Sequence, residues 1–448
     1  MNNMKILFIS LGCDKNLVDS EHMLGLLVEH GFEITDSEED AEVIVINTCC
    51  FIHDAKEESI QNILEMAKYR TAGSCKVLLV TGCMAERYRD EIIEEIPEVD
   101  AVLGTNSYDK ILDAIQDVLG GDRFQEYADL KGLPKIDAQR VVTTGGHYEY
   151  LKIAEGCDKH CTYCIIPKVR GNYRSVPMES LIKEAKELAD KGVRELILVA
   201  QETTVYGKDL YGKKSLHILL KKLCEIRGIR WIRILYCYPE EIYDELIETI
   251  RDEKKICHYL DIPIQHASDR ILKRMGRRTS KQELIDIVGK LRKEIPDIVL
   301  RTTLITGFPG ETEEDHEELK EFVDEMEFDR LGVFTYSPEE NTPAAEMADQ
   351  VPEEVKEERR DELMELQQEI SYDRGQDRIG QELLVMIEGK VADESAYIGR
   401  TYGDAPKVDG YIFVQTGELL MTGDFAKVRV TGALEYDLIG VLSDEYTE

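Results

Sequence analysis

Three cysteines, Cys157, Cys161 and Cys164, form a C-x3-C-x2-C pattern directly after the apolar run 150–154. Iron–sulfur cubanes are usually held by four cysteine thiolates, so three thiolates on one short loop leave one iron open to a further ligand. A zinc loop is the other interpretation, but structural zinc sites are closed by four protein ligands, and no fourth ligand follows at zinc-finger spacing. The pattern therefore predicts an iron–sulfur cluster that takes part in chemistry.

A second set of three cysteines is widely separated in the sequence: Cys13, Cys49 and Cys83. Each follows a short apolar run that is typical of a buried strand, at 5–10, 41–46 and 76–80. In an open parallel sheet, ligands bind beyond the carboxyl ends of the strands, so we expect these cysteines to converge at one edge. The sequence thus predicts a second three-thiolate site, which the fold assembles from distant segments.

The pattern of apolar residues indicates an α/β chain with several domains. Residues 1–120 alternate β-branched runs with amphipathic helices, which predicts a doubly wound parallel sheet, and 121–148 carries paired glycines and little periodicity, which predicts a linker. Residues 149–375 alternate strands and helices again, with strand candidates at 151–154, 195–201, 229–236, 259–265, 298–305 and 331–336. Six such units favour a partial (βα)6 barrel, with its chemistry at the carboxyl ends of the strands. Residues 376–448 predict a small antiparallel β-barrel, with strands at 383–387, 411–414 and 426–430.

The composition is strongly acidic, with 90 Asp and Glu against 55 Lys and Arg and a net charge of −35. Affinity for nucleic acid comes largely from Lys and Arg that neutralise phosphates, so this charge disfavours direct nucleic-acid binding and favours a basic protein partner. No apolar run approaches the length of a membrane span, and the first residues lack the features of a leader, so we expect a cytoplasmic protein with no membrane partner. In that reducing compartment, eleven cysteines indicate metal binding or catalysis rather than disulfides.

Longer segments around the cysteines complete the pattern, at 11–21, 47–52, 81–83, 155–164, 170–175 and 337–343. With the two cysteine sets and the small C-terminal barrel, which looks like a TRAM domain, they resemble the radical S-adenosylmethionine (SAM) methylthiotransferase family over essentially the whole chain. Within that family, segments 12–21 and 199–207 are similar to the members that add a methylthio group to the β-carbon of one aspartate in a small-subunit ribosomal protein.

The resemblance implies two [4Fe-4S] clusters, one on the C-x3-C-x2-C loop and an auxiliary one on Cys13, Cys49 and Cys83. SAM would bind the open iron of the first cluster, and its one-electron cleavage would give a 5′-deoxyadenosyl radical that removes a hydrogen atom from the substrate carbon. The auxiliary cluster would supply the sulfur, and a second SAM would donate the methyl group. The implied partners are a basic small-subunit ribosomal protein or the ribosome, a reduced electron-donor protein and a sulfur donor.

Five further side chains are candidates for binding SAM or substrate. Tyr163 precedes the third cysteine of the loop and could pack on the adenine or shield the cluster, although core packing also explains a tyrosine there. Gln201, Glu202, Gln265 and Arg301 lie at or near predicted strand ends, where ligands of such barrels bind. Polar residues at strand ends are also often structural, so both interpretations stay open.

The other cysteines lack ligand spacing. Cys50 adjoins Cys49 and could compete with it as a ligand, but Cys49 ends the Asn-Thr-Cys segment that matches the family motif, so we choose Cys49. We expect the remaining cysteines to be free buried thiols, as is common for cysteine: Cys75, Cys224, Cys237 and Cys257.

Two other functions remain possible from the sequence. A tRNA adenosine methylthiotransferase shares every cluster cysteine, and TRAM-like domains often bind RNA, but residues 376–448 carry 14 acidic and 6 basic side chains, which disfavours RNA. A non-catalytic ribosome-associated iron–sulfur protein would also suit a basic partner, but structural clusters are normally fully ligated. We therefore expect methylthiolation of an aspartate in a ribosomal protein.

Overall fold

The computed structural model describes residues 3–135, 138–392 and 395–447. The chain divides into two compact units, and neither is continuous in sequence. The first comprises Met1–Thr143, Lys152–Val176 and Ser337–Ala345, and the second comprises Thr144–Leu151, Pro177–Tyr336 and Glu346–Glu448. Both cysteine sets therefore belong to the first unit.

The first unit is built around a parallel sheet with the order β2-β1-β3-β4-β5-β6. Its strands are β1 (Lys5–Ser10), β2 (Glu33–Ile34), β3 (Val43–Thr48), β4 (Val77–Gly82), β5 (Ala101–Leu103) and β6 (Phe124–Glu126). Every neighbouring pair is parallel. The order reverses its direction at β1, as in doubly wound folds, and the prediction of a doubly wound parallel sheet is confirmed.

Helices cover both faces of this sheet: α1 (Asp14–Glu29), α2 (His53–Ala67), α3 (Tyr69–Ala72), α4 (Cys83–Tyr88), α5 (Asp90–Glu95) and α6 (Ile111–Gly120). Because side chains alternate along a strand, Ile44 and Leu78 pack into one hydrophobic core with α2 and α4, while Val43 and Val77 pack into another with α1 and α6. Burial on both faces explains why these strands are continuous apolar runs and not alternating ones.

Strand β7 (Tyr148–Lys152) opens the second sheet, and the chain then forms a short hairpin of β8 (Ala154–Glu155) and β9 (Arg174–Ser175) in the first unit. Between β8 and β9 lie the cysteine loop and the single-turn helix α7 (Ile166–Val169). Ile165 and Val169 are buried in the same hydrophobic core as Cys83 and Met84. The loop with the second cysteine set is therefore packed onto the N-terminal sheet domain.

The second unit contains a parallel sheet with the order β14-β13-β12-β11-β10-β7. Its strands after β7 are β10 (Glu195–Val199), β11 (Trp231–Ile234), β12 (Ile256–Asp261), β13 (Val299–Thr306) and β14 (Arg330–Thr335). The helices are α8 (Met178–Asp190), α9 (Lys208–Tyr211), α10 (Leu216–Cys224), α11 (Asp244–Asp252), α12 (Asp269–Arg274), α13 (Lys281–Glu294), α14 (Glu313–Met326) and α15 (Glu353–Gln376). All six predicted strands are present, and within the described residues the sheet stays open as predicted for a partial barrel.

A closed barrel of five strands follows, with the order β15-β16-β17-β19-β18. Its strands are β15 (Glu382–Lys390), β16 (Ala396–Thr401), β17 (Ile412–Gln415), β18 (Phe425–Ala433) and β19 (Leu438–Thr447). The predicted barrel is confirmed, although β17 and β19 pair in parallel, so the barrel is not wholly antiparallel. No helix among the described residues is long and apolar enough to cross a membrane.

Buried ion pairs attach this barrel to the sheet of the second unit. Arg400 from β16 donates to Glu195 Oε2 at 2.7 Å, and Arg233 from β11 donates to Oε1 of the same glutamate at 2.7 Å. These three side chains are completely buried, and a further pair joins Arg330 to Asp404 at 2.5 Å. Removing one partner of such a pair typically costs about 3–5 kcal/mol, so the ionic layer fixes the barrel in place.

Candidate functional site

The first cysteine set lies at one edge of the N-terminal sheet. Cys13 follows β1 and caps α1, Cys49 follows β3, and Cys83 begins α4 directly after β4. Because β1, β3 and β4 are neighbours in the sheet, their carboxyl ends meet at the same edge. The structure thus brings together three cysteines that are distant in sequence.

The thiols of this set are close enough to influence one another. Burial raises the pKa of Cys49 to about 12, and the neighbouring thiols of Cys83 and Cys13 add to the rise. Burial also raises the pKa of Cys83, although the guanidinium of Arg170 offsets part of the effect. Metal ions bind thiolates and not thiols, so a cation bound here would have to displace the protons that burial retains on these thiols.

Two glycines allow the cysteine segments to approach so closely. Gly12 has φ +85°, and a Cβ on it would stand 2.6 Å from Cys49 Cβ and 2.8 Å from Cys49 Sγ. Gly82 has φ +93°, and a Cβ there would stand 2.3 Å from Asn47 Oδ1 and 2.5 Å from the Thr48 carbonyl oxygen. Any larger residue would therefore push the three segments apart.

The Cys49 segment is also held by hydrogen bonds from α2. The Cys49 N–H donates to Ser59 Oγ at 3.0 Å, and the Ser59 hydroxyl donates back to the Cys49 carbonyl at 2.9 Å. The next residue, Cys50, is completely buried in an apolar core, and Arg87 donates to its carbonyl at 3.2 Å. The Sγ of Cys49 would stand 2.8 Å from a Cβ on Gly12, next to Cys13, which favours Cys49 as the ligand. The thiol of Cys50 also lies near Cys83, since the two thiols influence each other.

The second cysteine set lies on the loop between β8 and α7. The Cys157 N–H donates to the Gly171 carbonyl at 3.1 Å, and the Cys164 N–H donates to the Cys161 carbonyl at 3.0 Å. Cys157 and Cys161 are buried and Cys164 is half-buried. Burial raises the pKa of Cys164, and the thiols of Cys161 and Cys157 raise it further, so these thiols also lie close together.

The three thiols of each set can serve as ligands of a cubane. No group of three Cys, His, Asp or Glu side chains in the described ranges is arranged to hold one metal ion. A cubane does not need such tight convergence, because each thiolate binds a different iron. None of the cysteines, all of which lie among the described residues, forms a disulfide bond, so three sulfur donors are available in each set.

The polar candidates in the second unit lie in different places. Gln201 and Glu202 follow β10, and Gln201 Oε1 is buried without a hydrogen-bond partner. Gln265 follows β12 with φ +74°, which is uncommon for a residue with a side chain. Arg301 differs from them, because it is third in β13, near the amino end, and pairs with Asp261 at 2.9 Å and with a barrel carboxylate at 3.3 Å. Its ion pairs favour a structural role.

Tyr163 is half-buried beside Cys164. Among the remaining cysteines, Cys75, Cys237 and Cys257 are free and buried as expected, whereas Cys224 is only partly buried. Cys224 lies at the last position of α10, where the helix reaches the surface.

Several charged residues near the first cysteine set received no role from the sequence. Asp19, Lys152, Glu155 and Arg170 are all buried, and Arg170 donates its Nε–H to Cys83 Sγ at 3.4 Å. One sequence signal indicated two of them: Lys152 interrupts the apolar run 150–154, and Glu155 is the first residue after that run. A charged residue inside such a strand needs a buried partner.

Models of three known families match successive parts of the chain. Residues 5–104 match the uncharacterized protein family UPF0004, residues 151–323 match the radical SAM superfamily, and residues 379–442 match the TRAM domain. The first match spans β1 to β5, and the second runs from the end of β7, with the cysteine loop, through β13 into α14. The third match covers β15 to β18 and the first half of β19.

Solved structures support the same fold. The radical SAM methyltransferase TsrM from Kitasatospora setae, with cobalamin and a [4Fe-4S] cluster bound, has a TM-score of 0.55 at 14% identity and covers 77% of each chain. The cobalamin-dependent SAM radical enzyme OxsB, with aqua-cobalamin and SAM bound, has a TM-score of 0.51 at 14% identity and covers 77% of this chain and 54% of its own. At such low identity the likeness concerns the fold alone.

Curated relatives are similar over nearly the full length. The ribosomal protein uS12 methylthiotransferase RimO of Lachnoclostridium phytofermentans is 67% identical over 98% of this chain and 99% of its own. RimO of Clostridium perfringens is 52% identical over 99% of each chain, and RimO of Clostridium botulinum is 51% identical over 100% of each. This chain therefore belongs to the RimO family of radical SAM methylthiotransferases.

Proposed function

We propose that this enzyme adds a methylthio group to the β-carbon of an aspartate in the small-subunit ribosomal protein uS12. The observation that carries the proposal is the presence of two separate three-thiol sites in a chain that is 67% identical to a uS12 methylthiotransferase. A three-thiol site leaves one cluster iron open, and two such sites suit a reaction with two tasks. These tasks are activating a C–H bond and delivering sulfur.

In this proposal, Cys157, Cys161 and Cys164 hold the [4Fe-4S] cluster that, when bound, supplies the electron for cleavage of SAM. The protein contributes the shape of the loop. The hydrogen bond from the Cys157 N–H to the Gly171 carbonyl holds the backbone that carries the first thiol. Cys157 and Cys161 are buried on this loop, which limits the access of water to their thiols. Tyr163 stays a proposed shield or adenine contact.

Cys13, Cys49 and Cys83 hold a second, auxiliary [4Fe-4S] cluster, which supplies sulfur chemistry when bound. The chain holds these thiols on strand ends and a helix start, which are more rigid than a loop. The raised pKa of the buried Cys49 means that loading a cluster there releases a proton from this thiol at neutral pH.

SAM is the proposed cosubstrate, both as the source of the radical and as the methyl donor. Gln201 is the strongest candidate contact, since its buried Oε1 lacks a partner. Gln265 is next, because unusual backbone angles in residues with side chains are concentrated at functional sites. Glu202 and Arg301 stay as further candidates, and Arg301 is the weakest of the four.

The proposed substrate is a basic protein and not tRNA, because a net charge of −35 attracts a basic partner and repels phosphates. The remaining parts of the proposal are a cytoplasmic location, a reduced electron-donor protein and a sulfur donor. The domain limits are likewise proposed, at 1–120, 149–375 and 376–448 with a linker at 121–148. A non-catalytic ribosome-associated role is disfavoured by the family to which the chain belongs.

The test uses the reduced protein, reconstituted without oxygen and supplied with SAM and sulfide. Unmodified small ribosomal subunits and unmodified tRNA are offered separately, and both products are analysed by mass spectrometry, with reactions lacking SAM as controls. We expect the mass gain of a methylthio group on an aspartate-containing peptide of uS12 and no gain on tRNA. A gain on tRNA adenosine alone would overturn the substrate, and no 5′-deoxyadenosine from SAM would overturn the catalytic role.

A further inference from the structure

Arg170 is among the largest completely buried side chains of the chain. It lies directly after α7, close in sequence to Cys164, and belongs to the same compact unit as both cysteine sets. A buried guanidinium is stable only when its charge is paired and its N–H groups have acceptors. The partners of Arg170 therefore indicate what this residue does.

One of these partners is a proposed cluster ligand. The Nε–H of Arg170 donates to Cys83 Sγ at 3.4 Å, and Nη1 donates to Asp19 Oδ2 at 2.8 Å and to Glu155 Oε1 at 3.2 Å. Nη2 donates to Asn16 Oδ1. A single side chain thus joins the sulfur of Cys83, two carboxylates and the amide of Asn16.

Asn16 extends this connection to the other two cysteine segments. Its Nδ2 donates to the carbonyl of Leu11 at 3.0 Å and to the carbonyl of Thr48 at 2.9 Å. Leu11 lies just before Cys13, and Thr48 directly precedes Cys49. The bond from Arg170 to Oδ1 fixes the orientation of this amide, because only the oxygen can accept and only the nitrogen can donate.

The charges around Arg170 nearly cancel. The ammonium of Lys152 donates to the carboxylates of both Asp19 and Glu155, so two cations face two anions. Arg170 acts on the sulfur of Cys83 both through its own positive charge and through the directed hydrogen bond. Hydrogen bonds to the sulfurs are among the factors that set the reduction potential of iron–sulfur clusters, and neighbours that orient ligands also govern metal affinity.

We propose that Arg170 is a positioning residue of the auxiliary site: it donates to the sulfur of Cys83 and thereby raises the reduction potential of the cluster on Cys13, Cys49 and Cys83. The hydrogen bond stabilises the reduced cluster, because reduction adds negative charge to the sulfurs. This inference rests on the proposed function, since it requires a cluster at the auxiliary site.

The test isolates the auxiliary site by replacing Cys157, Cys161 and Cys164 with alanine. In that background, Asp19→Asn is compared with Asp19→Asn combined with Arg170→Met, so that the arginine is removed together with one carboxylate and no unpaired charge is added. Each protein is reconstituted without oxygen, and its iron content, EPR spectrum and reduction potential are measured. Folding is followed by circular dichroism.

We expect Asp19→Asn alone not to lower the potential, since it removes a negative charge and keeps the bond to Cys83. The double variant should show a lower potential and a shifted EPR spectrum at full iron content, or fail to retain iron while remaining folded. Equal potentials and identical spectra with full iron in both proteins would overturn the proposal. No iron in the background with Arg170 intact would instead overturn the auxiliary cluster of the proposed function.

Two further variants separate a role at the sulfur from a general role in stability. Arg170→Lys keeps the positive charge but cannot contact Cys83 and Asn16 together, so it should also lower the reduction potential. This variant replaces the double variant in the test if the double variant does not fold. Arg400→Lys is the matched control, because Arg400 is equally buried and pairs with Glu195. It should lower thermal stability and leave the potential and the EPR spectrum unchanged, and an equal potential shift in this control would also contradict the proposal.

Discussion

Each of the two cysteine sets offers three thiols, but the fold assembles the two sets in different ways. Cys157, Cys161 and Cys164 lie on one loop, held by hydrogen bonds within the hairpin of β8 and β9. The other set is collected from the ends of three strands by the order of a parallel sheet. A site for one cofactor can therefore depend on a short motif or on a whole domain.

The two designs should respond differently to change. The loop set depends on a few local residues, whereas the assembled set depends on close backbone approach at Gly12 and Gly82 and on the amide of Asn16. Substitutions that alter the sheet edge should therefore affect the assembled set more than the loop set. The tasks proposed for the two sets also differ. Loss of one set should therefore be distinguishable from loss of the other by measuring 5′-deoxyadenosine and methylthiolated uS12.

The largest effect is expected for Cys161→Ala. It removes a ligand from the loop set, and without that cluster the chain has no proposed source of the electron that cleaves SAM. Both 5′-deoxyadenosine and methylthiolated uS12 should fall to background, measured by chromatography and mass spectrometry. Persistent SAM cleavage at the wild-type rate would show that the loop set does not hold the catalytic cluster.

A smaller effect is expected for Cys13→Ala, which disrupts only the assembled set. SAM cleavage should continue in part, because the loop set is intact, while methylthiolated product is lost. The same two assays as for Cys161→Ala measure this division. Full methylthiolation by Cys13→Ala would contradict the separate tasks of the two sets.

Gly12→Ala should weaken the assembled set without removing a thiol. The new Cβ would stand 2.6 Å from Cys49 Cβ, so iron per chain should fall from about eight toward about four. Gly192→Ala is the matched control, because Gly192 also has a positive φ, of +101°, but no heavy atom lies within 4 Å of its added Cβ. In both variants the positive φ lowers the stability of the folded state by about 1–2 kcal/mol. Iron loss in both would show that this backbone strain, and not the contact with Cys49, causes the loss.

The smallest effect is expected for Cys50→Ala. Cys50 is packed in an apolar core, so its loss should lower the free energy of unfolding by about 1 kcal/mol and leave the iron content unchanged. Urea denaturation and iron analysis measure the two quantities. If iron falls as it does in Cys49→Ala, the ligand of the assembled set has been assigned to the wrong cysteine.

Much of this architecture could be predicted because it follows from short-range patterns. The loop set is a local motif, and Cys13, Cys49 and Cys83 follow apolar runs whose parallel pairing brings their ends together. Strands β16 and β19 were missed, since Gly399 and Arg400 interrupt the apolar pattern of β16 and the last half of β19 is polar. Arg400 tolerates burial in a strand because Glu195 and Glu388 pair with it.

The contacts of Arg170 could not be predicted for a related reason. Asp19 and Arg170 are 151 positions apart, and no local pattern indicates that they pair. The partners of a buried polar residue depend on how distant segments pack, and this packing cannot be derived from local patterns in one sequence. Arg301 illustrates the same limit, since its pairing with Asp261 and with the barrel became visible only in the fold.

The proposed function requires two clusters, one on each cysteine set. The most direct test is iron and sulfide analysis, with EPR, of three proteins reconstituted in parallel without oxygen: the wild type, the variant with Cys13, Cys49 and Cys83 replaced by alanine, and the variant with Cys157, Cys161 and Cys164 replaced by alanine. We expect about eight iron per chain in the wild type and about four in each variant. About four iron in the wild type, with none in one of the variants, would contradict this expectation.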